Sequence, residues 1–141
     1  MDFEKLAKYL TTRFGAQRLL YYAGLDTDNK KQLGFYELLQ RLGYETRLVS
    51  VKTFSDGSRK GDVDARLVFE AMRYYNDYDS AIFLTGDGDY FWLFEYLLQN
   101  KKNIRLLGHS TNTARDLKQL SGHSFIPLEN IRHLVMREDK K

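Results

Sequence analysis

Four aspartates stand in two short segments, Lys60-Gly61-Asp62-Val63-Asp64 and Thr85-Gly86-Asp87-Gly88-Asp89. The second follows the apolar run at 81–84 directly. A strand ending there would deliver two carboxylates on a tight turn, with Gly86 and Gly88 letting the backbone bend sharply. Hard divalent cations such as Mg²⁺ take oxygen ligands, usually one or two carboxylates completed by water and a phosphate. Asp64, from a neighbouring helix, could complete such a set, and a cation would relieve the repulsion among the carboxylates. A purely structural role fits the same spacing. Acids at helix N-termini cap free N–H groups and complement the helix dipole. Asp62 and Asp87 stand where an N-cap would fall, and Asp64 and Asp89 stand in the first turns. Spacing leaves capping and metal binding both open, with Asp62 the more cap-like and Asp64 the better ligand candidate.

Other groups add less. The three histidines, His109, His123 and His133, lack metal-motif spacing. His109 follows a strand's carboxyl end, within reach of a phosphate or as a plain loop residue, and His133 reads as a surface position. Ser110, Thr111 and Asn112 share the loop and could donate to phosphate oxygens. Tyr90 either stacks on a base at the mouth of the site or is a buried aromatic at a helix start. Lys52, Arg59, Lys60, Lys101, Lys102 and Arg115 are candidates for a phosphate-tracking rim, each otherwise a solvated side chain. With no cysteine, thiol nucleophiles, disulfides and cysteine-ligated metals are excluded. No G-x-S-x-G, Walker A loop or complete Rossmann glycine set is present.

These groups need elements to hold them. Helical spacing of Phe3, Leu6, Leu10 and Phe14 predicts a helix over 2–14, stopped by Gly15. A strand follows at 17–24. A helix at 28–42 turns Leu33, Tyr36, Leu38, Leu39 and Leu42 inward and ends at Gly43. An alternating strand is expected at 45–52 and a loop at 54–61, around the turn dipeptide Asp56-Gly57. A third helix at 62–76 points Val63, Leu67, Val68, Ala71, Met72 and Tyr75 inward. A fully buried strand at 81–84, a helix at 88–100 and a strand at 104–107 come next. After a polar loop at 109–112 the pattern closes with a helix at 113–120, a strand at 125–126 with Pro127 beyond it, and a helix at 129–137. Strands alternating with helices predict an α/β fold with a parallel sheet covered on both faces and its sites at the strands' carboxyl ends.

The 141 residues predict a single domain over 1–141, with 43% hydrophobic, 29% charged and 14% aromatic residues excluding a disordered chain. No apolar run could span a bilayer and the N-terminus lacks a basic leader, so a soluble cytoplasmic protein without membrane contact is expected. Charge is uneven. Residues 1–60 carry 11 bases and 7 acids, 61–100 carry 2 and 8, and 101–141 carry 9 and 4. An acidic middle between basic flanks suits a metal site within a nucleic-acid-binding surface, although blocks of this length also fluctuate by chance.

The pattern K-G-x-V-D at 60–64, then a helix, a buried strand and T-G-D-G-D-Y at 85–90, resembles the NYN branch of the PIN-like nuclease superfamily, which includes the LabA-like proteins. The strands LLYYAGL at 19–25 and RLVSVKTF at 47–54, G-H-S-T-N-T-A-R-D-L at 108–117 and S-F-I-P-L at 124–128 fit as well, so the resemblance covers roughly 17–130. It implies a three-layer αβα PIN-like, Rossmann-like fold with a mostly parallel sheet. It also implies hydrolysis of RNA phosphodiesters with one or two Mg²⁺ or Mn²⁺ ions. Carried over by residue, Asp64, Asp87 and Asp89 would be the catalytic, metal-holding acids. Thr85 matches the small hydroxyl residue beside them and Lys60 the basic residue ahead of the helix. Tyr90, Asn112 and Arg115 complete the expected substrate-binding set.

Two departures stand out. Relatives begin with a strand carrying an early Asp in a pattern like D-G-x-N, and no such pattern occurs near this N-terminus, so the fold is expected to lack that strand, as in an N-terminally truncated domain. Asp26 is the nearest substitute acid, or simply a turn residue. Where many relatives keep a late acid, this chain has Ser121-Gly122-His123. The expected function is a metal-dependent ribonuclease with RNA as partner. The alternative is a catalytically inactive module that binds RNA or a protein, and a homodimer could supply a missing strand.

Overall fold

The computed structural model describes residues 1–50 and 62–137, together with the backbone of 52–53 and 59–60. The chain divides into two compact units, Met1–Leu67 with His133–Lys141, and Val68–Arg132.

The first unit opens on helix α1 (Phe3–Phe14). Asp2 caps it by accepting the Lys5 N–H at 3.1 Å, and Gly15 ends it at φ 68°, a left-handed conformation that glycine takes without strain. Strand β1 (Leu19–Leu25), helix α2 (Lys30–Arg41) and strand β2 (Tyr44–Ser50) then form a β-α-β unit. The two strands pair in parallel, Leu19 opposite Tyr44 and Leu25 opposite Ser50. Asn29 caps α2 through the Gln32 N–H at 3.1 Å. The core is aromatic, with Tyr36, Leu39 and Tyr44 buried under Phe3, Tyr21 and Phe35. Phe3 meets Phe35, Tyr21 and Tyr44 edge-on, with ring centroids at 5.4, 5.7 and 5.9 Å. Such pairs add roughly 0.5–1.5 kcal/mol each beyond area burial. Both buried phenols find acceptors, Tyr36 donating to the Gly24 carbonyl and Tyr44 to that of Phe3, each at 2.7 Å. Burial pushes the Tyr44 phenol up to about 12. Beyond β2, the short strands β3 (Lys52–Thr53) and β4 (Arg59–Lys60) pair antiparallel.

Helix α3 (Val63–Arg73) carries the chain from the first unit into the second, because the division falls within it. In the second unit β5 (Ser80–Leu84), α4 (Phe91–Gln99), β6 (Asn103–Gly108), α5 (Arg115–Ser121) and β7 (Phe125–Pro127) alternate. Their strands form a parallel sheet in the order β5-β6-β7. Helix α4 covers it with Leu93, Phe94 and Leu97, the Phe94 ring lying 4.6 Å from that of Phe83 in β5. Burial of each such side chain stabilises by about 1.5–3 kcal/mol. After β7 the chain makes a 3-10 turn and one turn of helix α6 (Arg132–Val135).

The fold is thus the mixed α/β arrangement with parallel strands that the alternating pattern implied, entered through a helix. Several details differ. Leu38, Met72 and Leu84, expected inside, are 41%, 39% and 46% exposed. Leu38 neighbours fully buried Leu39, and adjacent helical positions point about 100° apart, so both cannot face inward. Met72 is likewise one step off the stripe of Val68, Ala71 and Tyr75. The strand expected to be fully buried at 81–84 is only partly buried over Ala81–Phe83 and exposed at Leu84, as suits β5 at the end of the order β5-β6-β7. Strand β2 shows steady partial burial over 45–49 in place of alternation, as a parallel strand with both faces partly covered does. The expected loop at 54–61 includes the β4 arm, and its Asp56-Gly57 turn lies outside the described residues. The expected helix at 129–137 is a 3-10 turn, Leu128–Ile131, followed by the single turn of α6, Arg132–Val135. Pro127 is the last residue of β7, not a residue beyond it.

Candidate metal centre

The segment Thr85-Gly86-Asp87-Gly88-Asp89 leaves the carboxyl end of β5. Thr85 donates its N–H to the Leu107 carbonyl at 3.1 Å, carrying the ladder one residue past the strand. The chain then turns on its own side chains. The Thr85 hydroxyl oxygen accepts the Asp87 N–H at 3.2 Å, and Asp87 Oδ1 accepts the Asp89 N–H at 2.9 Å. Asp87 is therefore the N-cap of a 3-10 turn, Gly88–Tyr90, that leads into α4. The capping role read from the sequence is real at this residue, and it fixes where the carboxylate stands.

The two glycines answer to close approach. The Gly86 carbonyl accepts the Ala114 N–H at 3.0 Å. A Cβ on Gly86 would stand 2.7 Å from the Asn112 carbonyl oxygen and 3.1 Å from Thr113 Cα, and one on Gly88 would stand 3.1 Å from Ala114 Cβ. The acidic turn is thus seated on the backbone of residues 112–114. That loop is in turn anchored by Thr113, which is buried and donates its hydroxyl to the His109 carbonyl at 2.6 Å.

The third acid comes from α3. Asp62 caps this helix, accepting the Ala65 N–H at 3.3 Å, and Asp64 stands in its first turn. Asp64, Asp87 and Asp89 are all exposed, and each offers a carboxylate oxygen within 4.8 Å of the others'. Three anionic oxygens this close repel one another in water. As a hard, oxygen-only donor set open to solvent, they fit Mg²⁺ or Mn²⁺, which keep several waters and bind through few carboxylates.

The remaining predicted residues are placed as follows. Lys60 is the last residue of β4, its side chain outside the described residues. Thr85 is partly buried and serves the turn, while Asn112 and Arg115 are exposed on the loop and the first turn of α5. Tyr90 is only 5% exposed and stacks on Phe94 at 6.1 Å with 27° between the planes. Of the two sequence readings, the buried aromatic holds, so this ring is not presented to a base. Asp26 acts in its own turn, its Oδ1 accepting the Asp28 N–H at 3.1 Å. The loop at 109–112 is pinned by Glu129, which accepts from Ser110 N–H at 2.9 Å and meets His109 Nδ1 at 3.1 Å. The Ser110 N–H, with lesser help from His109, holds the Glu129 carboxyl below its usual range. His109 is thereby turned to Glu129.

One acid escaped the sequence reading, and one aromatic of α4 proves to face water. Asp116, in the first turn of α5, brings a carboxylate oxygen to 3.7 Å from where Gly88 would carry a Cβ. Only the packing of α5 against the acidic turn reveals it. Trp92, in the first turn of α4, is 82% exposed.

Carboxylates gathered where a parallel β5 hands over to its helix, on a mixed α/β scaffold, define a PIN-like, nuclease-type domain. The likeness extends to known proteins. The NYN domain profile matches residues 1–129, and the chain belongs to the NYN domain family. It is 27% identical over 126 residues to the low amplitude and bright protein LabA of Synechococcus elongatus, covering 85% of this chain and 67% of that protein. It also superposes on the crystal structure of a protein of unknown function from Vibrio parahaemolyticus with a TM-score of 0.72. That match has 25% identity and covers 84% of this chain and 74% of the other. Among the described residues, no helix is long and apolar enough to cross a membrane.

Proposed function

We propose that this chain hydrolyses RNA phosphodiester bonds with Mg²⁺ or Mn²⁺ held by Asp64, Asp87 and Asp89. The observation that carries this reading is the three exposed carboxylate oxygens within 4.8 Å of one another at the end of β5. Membership of the NYN family supports a nuclease-type domain. When bound, a divalent ion there supplies an activated water, orientation of the scissile phosphate and neutralisation of charge on its oxygens. The chain's own residues prepare the place. Asp87 is oriented by its bond to the Asp89 N–H, which sets its carboxylate at the turn before any ion binds. Asp89 leads α4, and Asp64 is set by the first turn of α3. Arg115 and Lys60 offset phosphate charge, while Asn112 and the Thr85 hydroxyl offer hydrogen bonds to its oxygens.

The test is cleavage of end-labelled single-stranded RNA in Mn²⁺, with parallel reactions in EDTA and with Asp87→Asn protein. Cutting that needs the metal and fails in the variant supports the reading. Equal, background-level cutting by intact and variant protein would overturn it in favour of a binding module.

A further inference from the structure

Trp92 is the single tryptophan of the chain, and it is 82% exposed, more than any other large hydrophobic residue described. It stands three residues after Asp89, close to one helical turn, at the start of the helix that the acidic turn leads into. Four residues further on, Tyr96 is 45% exposed on the same face of α4. The opposite face of that helix is committed to the core through Leu93, Phe94 and Leu97. An indole left in water forgoes the large apolar burial that tryptophan ordinarily gains. Here the indole is left open to solvent three residues along the chain from Asp89, whereas Tyr90 is buried.

We propose that Trp92 is a stacking platform for an unpaired nucleobase of single-stranded RNA, next to the scissile phosphate; this rests on the ribonuclease reading above. An aromatic face accepts any base, so the contact confers preference for unpaired over duplex RNA and not for a sequence. Residues 61–100 carry 8 acids against 2 bases, so an RNA strand approaching this surface is repelled until the carboxylate charge is offset. Stacking on Trp92 is therefore coupled to the divalent ion. Trp92 acts as a substrate-positioning residue: loss of the ring weakens RNA binding and raises KM more than it lowers kcat.

Because the chain has one tryptophan, its own fluorescence reads the contact. The experiment titrates a non-cleavable 2′-O-methyl oligouridine into the intact protein in Mg²⁺, and repeats the titration with a blunt duplex of the same length and in EDTA. Saturable quenching by the single strand in Mg²⁺, weak or absent in the other two, is the expected result. Trp92→Leu, followed by a labelled oligonucleotide, raises Kd about 5- to 150-fold, the equivalent of 1–3 kcal/mol for a stacked base. Trp92→Phe recovers most of the affinity, and the thermal midpoint of both variants stays with the parent. If Trp92→Leu binds and cuts like the parent while Asp87→Asn is inactive, the stacking proposal fails and the ribonuclease reading stands. If the parent neither binds nor cuts RNA, both fall. If Trp92 emission changes with protein concentration alone, and light scattering shows a dimer that Trp92→Leu dissolves, a second copy covers this face and the proposal is overturned.

Discussion

The same substitution, glycine to alanine, should have opposite signs at two positions of this chain. At Gly86 the added methyl meets backbone on the far side, 2.7 Å from the Asn112 carbonyl oxygen and 3.1 Å from Thr113 Cα. Neither atom can swing aside like a side chain, and both belong to the loop that also receives the Ala114–Gly86 hydrogen bond. Overpacking of this kind costs about 1–3 kcal/mol. For a chain of 141 residues each kcal/mol is worth roughly 3 °C, so Gly86→Ala should lower the melting temperature by about 3–10 °C. At Gly34, inside α2, the same methyl meets nothing within 4 Å, and alanine should stabilise by about 0.5–1 kcal/mol through its better helix propensity. Thermal unfolding followed by circular dichroism measures both. Because Gly86 seats the acidic turn, its variant should also lose metal-dependent cleavage at temperatures where it remains folded. A Gly86→Ala protein as stable as the parent would refute the seating of this turn on residues 112–114.

Other perturbations follow from the same contacts. Leu97, fully buried in α4, should cost about 2–5 kcal/mol when cut to alanine, read from urea unfolding. Burial raises the Tyr44 phenol from its ordinary value of 10.0 to about 12. Its contribution is intact below the unfolded value and is lost as pH rises through the folded one. Urea unfolding should therefore show stability falling from about pH 10 toward pH 12, by less in Tyr44→Phe protein, which also loses the bond to the Phe3 carbonyl. Divalent ions should raise the melting temperature of the intact protein, by the equivalent of about 2.7 kcal/mol when free ion is a hundredfold over Kd, and leave Asp87→Asn unmoved.

How much of this is legible in the sequence depends on the range of the signal. The acidic turn is local: an apolar run followed by T-G-D-G-D announces a strand, a sharp bend and two carboxylates, and β5 with its following turn is built that way. The caps at Asp62 and Asp87 are equally readable, because they involve residues two or three positions away. Helix α4 itself is read at 88–100, but its outward face is not, since F-W-L-F-E-Y-L-L-Q is apolar on nearly every side. Apolarity cannot tell which aromatic faces water, yet Tyr90 and Trp92 stand about 200° apart on a helix and cannot share a face. Counting outward from polar Glu95 and Gln99 would have placed Trp92 and Tyr96 outside. The seating of Gly86 on Asn112 and the approach of Asp116 to Gly88 join residues more than twenty positions apart, and no spacing rule reaches them.

The most direct test of the account is the metal-dependent rate of RNA cleavage by four single variants, Asp64→Asn, Asp87→Asn, Asp89→Asn and Asp62→Asn. The first three each remove a charge from the cluster, and each should lose about 100-fold or more in rate. Asp62 lies outside it and serves as a helix cap, a task asparagine performs as well, so its variant should cut like the parent. Full activity in any of the first three, or a loss in Asp62→Asn as large as theirs, would contradict the assignment of the metal to Asp64, Asp87 and Asp89.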